Sequence, residues 1–170
     1  MSAEALIALW KECRLGLISE VEKIPEDQFN FKATPETRSI AALLQHIIQS
    51  QCFLVGETCR DNTNLMRQSF PDHLKEYAGG VTEVSDKNGL LERLRTSMDQ
   101  MENTLRAFGD KLDETMVRFD GKTTEKVAFL TFAMSHEMYH RGQLTVYERL
   151  LNIEPVLTGR LKKLFASAAN

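Results

Sequence analysis

Two histidines, His136 and His140, stand four residues apart in the run Ser135-His136-Glu137-Met138-Tyr139-His140-Arg141-Gly142-Gln143. On a helix, residues at i and i+4 share a face, with Cβ atoms about 5–6 Å apart. Two imidazoles so placed can each reach one cation at about 2.0–2.1 Å. They make half of a metal site, and a further ligand has to come from another element. The only other histidines are His46 and His73. His46 follows Leu43 by three at the edge of an apolar stripe, beside Ala42, Gln49 and Ser50, which are small or polar and leave room for an ion. His73 lies in an irregular polar stretch and reads as a solvated surface residue. The spacing nominates His46, His136 and His140 as a ligand triad. Three neutral imidazoles leave the charge of a divalent ion uncompensated and at least one position open, as in catalytic sites. Such an ion acidifies bound water or captures a thiol as thiolate.

The same residues spell HExxH, in which the glutamate serves metalloproteases as general base. A protease needs a sheet edge to align its peptide and usually a third ligand downstream, whereas no strand alternation is evident and no histidine follows His140. Glu137 sits about 100° around the helix from His136. It is the candidate catalytic residue, able to carry a proton at the metal, to brace a ligand, or to form a salt bridge. Cys13, Cys52 and Cys59 are odd in number and lack CxxC spacing, so they read as reduced, packed thiols.

Long helices must position these groups. Leu6, Trp10, Cys13, Leu17, Val21 and Ile24 step by four, three, four, four and three, a core-facing first helix that Pro25 stops. Trp10 is its core anchor. Residues 25–38 form a connection that lays Phe29 and Phe31 back on the core. Ser39 caps a second helix, Ile40 to Thr58. Residues 60–84 are a long crossover with one short helix around His73 to Tyr77. Leu91, Leu94, Met98, Met101, Leu105 and Phe108 mark a third long helix, ended by Gly109. After an Asp120-Gly121 turn, Thr123 or Thr124 caps a fourth helix that runs to Leu151 and carries both histidines. Residues 156–170 form a short basic amphipathic helix over one end. The class is all-α: a four-helix bundle with a long connection between the second and third helices.

At 170 residues and 42% hydrophobic, the chain suits one domain, 1–170, with one sizeable core. A net charge of −3 gives no reason to seek nucleic acid. No stretch approaches the roughly 18 apolar residues of a membrane span, and residues 1–12 lack the basic start of a secretion signal. The expectation is a cytoplasmic protein that engages neither membranes nor nucleic acid.

Leu43-Leu44-Gln45-His46-Ile47, followed by His136-Glu137-Met138-Tyr139-His140-Arg141-Gly142-Gln143-Leu144 and by the phrase Tyr147-Glu148-Arg149-Leu150-Leu151-Asn152-Ile153-Glu154-Pro155, resembles the DinB/YfiT-like superfamily of metal-binding four-helix bundles. The resemblance covers essentially the whole chain. It implies a histidine triad at His46, His136 and His140, a divalent ion such as zinc, nickel or iron, a homodimer and a cytoplasmic bacterial origin. Characterised relatives include thiol S-transferases and isomerases that use low-molecular-weight thiols such as bacillithiol or mycothiol. A small-molecule substrate of that kind is the implied partner, with a non-catalytic metal-binding or stress-response dimer as the alternative. Gln143, on the histidine stripe, either hydrogen-bonds a neighbouring ligand or the loop above the site while Arg141 pairs with an acid, or the two residues serve only as structural braces.

Overall fold

The computed structural model describes residues 1–168, and among them no helix is long and apolar enough to cross a membrane. Helix α1 (Ala3–Lys23) starts where the Ser2 hydroxyl accepts from the Ala5 amide at 3.2 Å, and it buries the expected stripe of Leu6, Trp10, Cys13, Leu17 and Val21. Helix α2 (Ile40–Thr58) is capped by Ser39 in the same way, at 3.2 Å from the Ala42 amide. Between them Phe29 is buried, and Phe31 packs edge-on against Tyr147 with ring centroids 5.9 Å apart.

Helix α3 (Phe70–Ala78) fills the crossover and is longer than the sequence suggests. It corrects one expectation: His73 is fully buried, not solvated. Its inward neighbours on the helix are Leu74, Tyr77 and Ala78, while Asp72, Lys75 and Glu76 face water, so a polar segment still has one core face. His73 Nε2 lies 3.0 Å from the Leu65 carbonyl, and Nδ1 lies 3.4 Å from Glu57, which also accepts from Arg67 and Tyr77 and ties α3 to α2.

Helix α4 (Lys87–Phe108) is capped by Asp86 and closed by Gly109, whose φ of 57° needs a residue without Cβ. A second correction follows. Residues expected to form only a turn and a cap make an antiparallel hairpin, β1 (Thr115–Val117) and β2 (Thr123–Glu125), with Met116 opposite Thr124. Three-residue strands are too short for alternation to register, although Thr and Val favour the pleated form. Thr123 and Thr124 therefore lie in a strand, and Glu125 is the N-cap residue of α5 (Lys126–Leu150). Helix α6 (Val156–Ala168) has no buried residue; residues 169 and 170 of the expected terminal helix lie outside the described residues.

Helices α1 and α2 each pack on both α4 and α5, so they occupy opposite corners of a four-helix bundle. Arg14 lies at its centre, 1% exposed, and reaches all four helices. Nε and Nη2 grip both oxygens of Glu137 on α5 at 2.6 and 2.7 Å. Nη1 donates to the Leu94 carbonyl and the Ser97 hydroxyl on α4 at 3.0 and 2.8 Å, and Nη2 also reaches Gln51 on α2 at 3.0 Å. Every N–H of the guanidinium is thereby used. Trp10 donates to the same Glu137 carboxylate at 2.8 Å. Burial alone would lower the pKa of Arg14, but the adjacent Glu137 charge outweighs it and holds the group above the usual arginine value. Arg14→Ala leaves Glu137 buried and unpaired and should cost about 3–5 kcal/mol in urea unfolding. Combining Arg14→Met with Glu137→Leu should recover most of that loss.

Two buried acids, Glu20 of α1 and Glu148 of α5, sit where α6 begins. Glu20 accepts from the Val156 and Leu157 amides at 2.5 and 3.4 Å, at the positive end of α6. Glu148, equally buried, finds no hydrogen-bond donor for either oxygen among the described residues. Burial, reinforced by the charge of Glu20, pushes its pKa from 4.5 up to about 8. Between those values the folded protein keeps a proton that the unfolded chain releases, so stability falls as pH rises across that window. Glu148→Gln should flatten this pH dependence and raise Tm at pH 8, by about 2–4 °C for each kcal/mol recovered, as read by thermal melts at pH 5 and pH 8.

Candidate metal centre

His46 on α2 and His136 and His140 on α5 project toward one point between the two helices. Their Nε2 atoms converge: His140 lies 3.1 Å from His46 and 3.0 Å from His136, and one ring nitrogen from each of the three falls within 4.8 Å of the others. Ligand nitrogens at about 2.0–2.1 Å from a tetrahedral ion stand about 3.3 Å apart, so the triad is already close to coordinating geometry. The rings meet edge to face, with His140 at 81° to His136 and 89° to His46.

Gln143 settles the tautomer of the central ring. Its Oε1 accepts from His140 Nδ1 at 2.7 Å, one helical turn further along α5. A neutral His140 with its proton on Nδ1 presents a bare lone pair at Nε2, the form a metal needs. That lone pair faces two other imidazole nitrogens, and a divalent cation satisfies all three at once. Burial drives the three pKa values down, to about 4 for His46, with the nearby Arg38 charge adding to the effect on each. All three rings are therefore neutral at pH 7 and compete weakly for protons.

Of the three roles open to Glu137 from its sequence position, the structure shows the salt bridge: its oxygens are held by Arg14 and Trp10. Arg141, expected to pair with an acid, lies 3.5 Å from Glu20, and its guanidinium occupies the space above Gly16, where any side chain would collide with it. Sequence reasoning missed Arg14. The available signal was a cation four residues after Trp10, on the same core-facing stripe.

The model of the DinB family matches residues 1–167. The chain belongs to the DinB family. No curated protein matches it in sequence. A DinB-like protein from Bacillus subtilis is 21% identical with a TM-score of 0.67, over 87% of this chain and 92% of that one. YfiT from Bacillus subtilis, a probable metal-dependent hydrolase with an unusual four-helix bundle topology, is 15% identical with a TM-score of 0.68, over 89% of each chain. A mycothiol-dependent maleylpyruvate isomerase is 14% identical with a TM-score of 0.65, over 85% of this chain and 61% of its own. These likenesses establish a DinB-like bundle, and within it the triad is a site that could hold a divalent metal.

In this DinB bundle the Gln143 bond orients His140, the ring whose Nε2 lies between those of His46 and His136. Gln143→Ala should weaken divalent-metal affinity about 10–100-fold, measured by competition against a chelator of known affinity. The melting temperature of the metal-free protein should scarcely change.

Proposed function

We propose that the protein is a metal-dependent transferase of the DinB type that activates a small thiol for attack on an electrophile. The observation that carries this reading is the convergence of three neutral imidazole nitrogens beside a cavity that His46 and His136 both line. Zinc suits such a donor set, and nickel and iron accept the same nitrogens. When bound, a divalent ion with an open position supplies Lewis acidity that favours a thiolate or hydroxide at neutral pH. His46, His136 and His140 hold it, Gln143 fixes the His140 tautomer, and Glu137 braces α5 against Arg14.

The occupied Glu137 favours a thiol over water as the nucleophile. A hydrolytic HExxH mechanism needs that carboxylate free to take a proton, whereas a thiol acidified at the ion needs no protein base. The mycothiol dependence of one fold relative supports the same direction, while the description of YfiT supports hydrolysis as the second reading. The thiol has to come from solution. Burial pushes Cys13 and Cys59 up to about 12 and raises Cys52, so none of the chain's own thiols is nucleophilic. Three free cysteines suit the reducing cytoplasm, and residues 1–170 act as one domain. We place the homodimer contact on the exposed Leu9, Leu15 and Met138 of α1 and α5, with a second copy as the occupant. The cation Arg160 on α6 and the acid Glu12 line the same groove as these apolar residues and can complement each other across a two-fold contact.

His46→Ala and His136→Ala should each abolish stoichiometric metal and lower thiol conjugation more than about 100-fold while circular dichroism stays helical. Elemental analysis after purification without a nickel column, paired with conjugation assays using bacillithiol and mycothiol, tests this. Bound metal without turnover would favour a non-catalytic metal-binding protein; no metal after reconstitution would overturn both readings.

A further inference from the structure

The cavity beside the triad has a lining that the histidines do not explain. It is half open to solvent, offers about 340 Å³, and is lined by five phenylalanines: Phe53, Phe70, Phe119, Phe129 and Phe132. They come from α2, α3, the hairpin turn and α5, so four separate elements converge to line one cavity with aromatic rings. Phe53 and Phe70 meet edge to face at 5.7 Å, Phe53 and Phe119 lie 6.3 Å apart, and Phe70 and Phe119 lie 6.2 Å apart. In a second cluster Phe129 and Phe132 pack at 6.0 Å, and Phe132 continues onto the His136 ring at 6.3 Å. This second cluster therefore runs directly into the histidine triad.

Three of these rings remain substantially open to water: Phe70 is 49%, Phe119 45% and Phe132 57% exposed. An isolated exposed aromatic needs no explanation, but a cluster of them around one concavity marks a binding site. The polar groups are confined to two ends. His46, Ser50 and His136 stand at the bundle end, and Arg118 and Asp120, paired at 3.4 Å, stand at the hairpin end. Arg118 and Asp120 offset each other's charge, which leaves the middle of the cavity uncharged.

We propose that this cavity binds the apolar body of the electrophilic substrate: a flat, uncharged aromatic group of about two fused rings whose polar head points to the triad. Size sets the upper limit. An apolar cavity of about 150 Å³ holds one benzene ring, so 340 Å³ has room for roughly two. Ring edges and faces both line the space, which suits stacked and edge-on contacts with an aromatic guest. A sugar or a highly charged acid would lose its hydration here without gaining partners. The assignment of the head group rests on the metal-centre reading; the assignment of the body rests on the cavity alone.

Two sets of probes separate these parts. 2-Naphthylmethanol, titrated by calorimetry into both metal-free and metal-loaded protein, tests the cavity. It should bind one site in both forms, and Phe119→Ala and Phe132→Ala should each weaken it about tenfold. Both side chains are exposed, so the variants should fold as the parent does, which circular dichroism checks. 2-Naphthohydroxamate and acetohydroxamate test the junction with the metal. The naphthyl compound should bind the loaded protein about 100-fold more tightly than the acetyl one, an advantage that shrinks in both phenylalanine variants. Equal affinity for the two hydroxamates, or naphthyl binding that ignores both substitutions, would overturn the proposal. Metal binding with no affinity for 2-naphthylmethanol would overturn it too, leaving the triad intact. Retained, substitution-sensitive binding of 2-naphthylmethanol by a protein that takes up no metal would support the cavity and remove the metal centre.

Discussion

The structure depends on one buried cation. Arg14 lies at the centre of the bundle, where the desolvation of a guanidinium is tolerable only if its donors are all met. They are met by α2, α4 and α5 together, so the relative rotation of all four long helices is tied to a single side chain. An apolar core of leucines tolerates sliding and rotation by small steps; a five-donor fork with fixed directions does not. The register of the histidine triad follows. Glu137 is gripped by Arg14 and is the immediate neighbour of His136, while Gln51 on α2 touches the same guanidinium five residues after His46. Both helices that carry histidines are thus clamped to one point below the site.

That clamp reframes the HExxH letters. In a zincin the glutamate serves the metal-bound water; here its carboxylate is taken up by Arg14 and Trp10 in the bundle interior. The helix divides its labour by face. One side, about 100° away from the other, presents the imidazoles to the space between α2 and α5, and the other locks the helix in place. The imidazoles then meet in surroundings that keep them neutral, with Gln143 holding one proton away from the convergent nitrogens. A site of neutral donors, open on one side to an apolar cavity, suits chemistry that needs a bound ion and little water.

Much of this was legible in sequence because it is local. The i, i+4 spacing of His136 and His140 is a property of one helix, and the stripes from Leu6 to Ile24 and from Leu91 to Phe108 repeat with a period that only a packed helix explains. His46 was reachable through its position beside Leu43 and through the resemblance to DinB proteins. What escaped depends on distant partners. Arg14 looks like any charged residue until Glu137, Gln51 and Ser97 arrive from other helices. His73 sits among polar residues and is buried only because α3 turns that face onto α2. The hairpin is too short to alternate visibly. The aromatic cavity escaped for the same reason: Phe119 lies in a turn and Phe132 on an exposed face, and neither signals a binding site until the fold brings both to line one cavity with Phe53.

The most direct test of the metal centre is X-ray absorption at the edge of the bound metal. The account predicts a first shell of three imidazole nitrogens at about 2.0–2.1 Å plus an exchangeable light atom, with the light-atom contribution replaced by sulfur when a small thiol is added and with the metal edge itself lost in His136→Ala. A shell of six oxygens, or no bound metal in the parent protein after reconstitution, would contradict it.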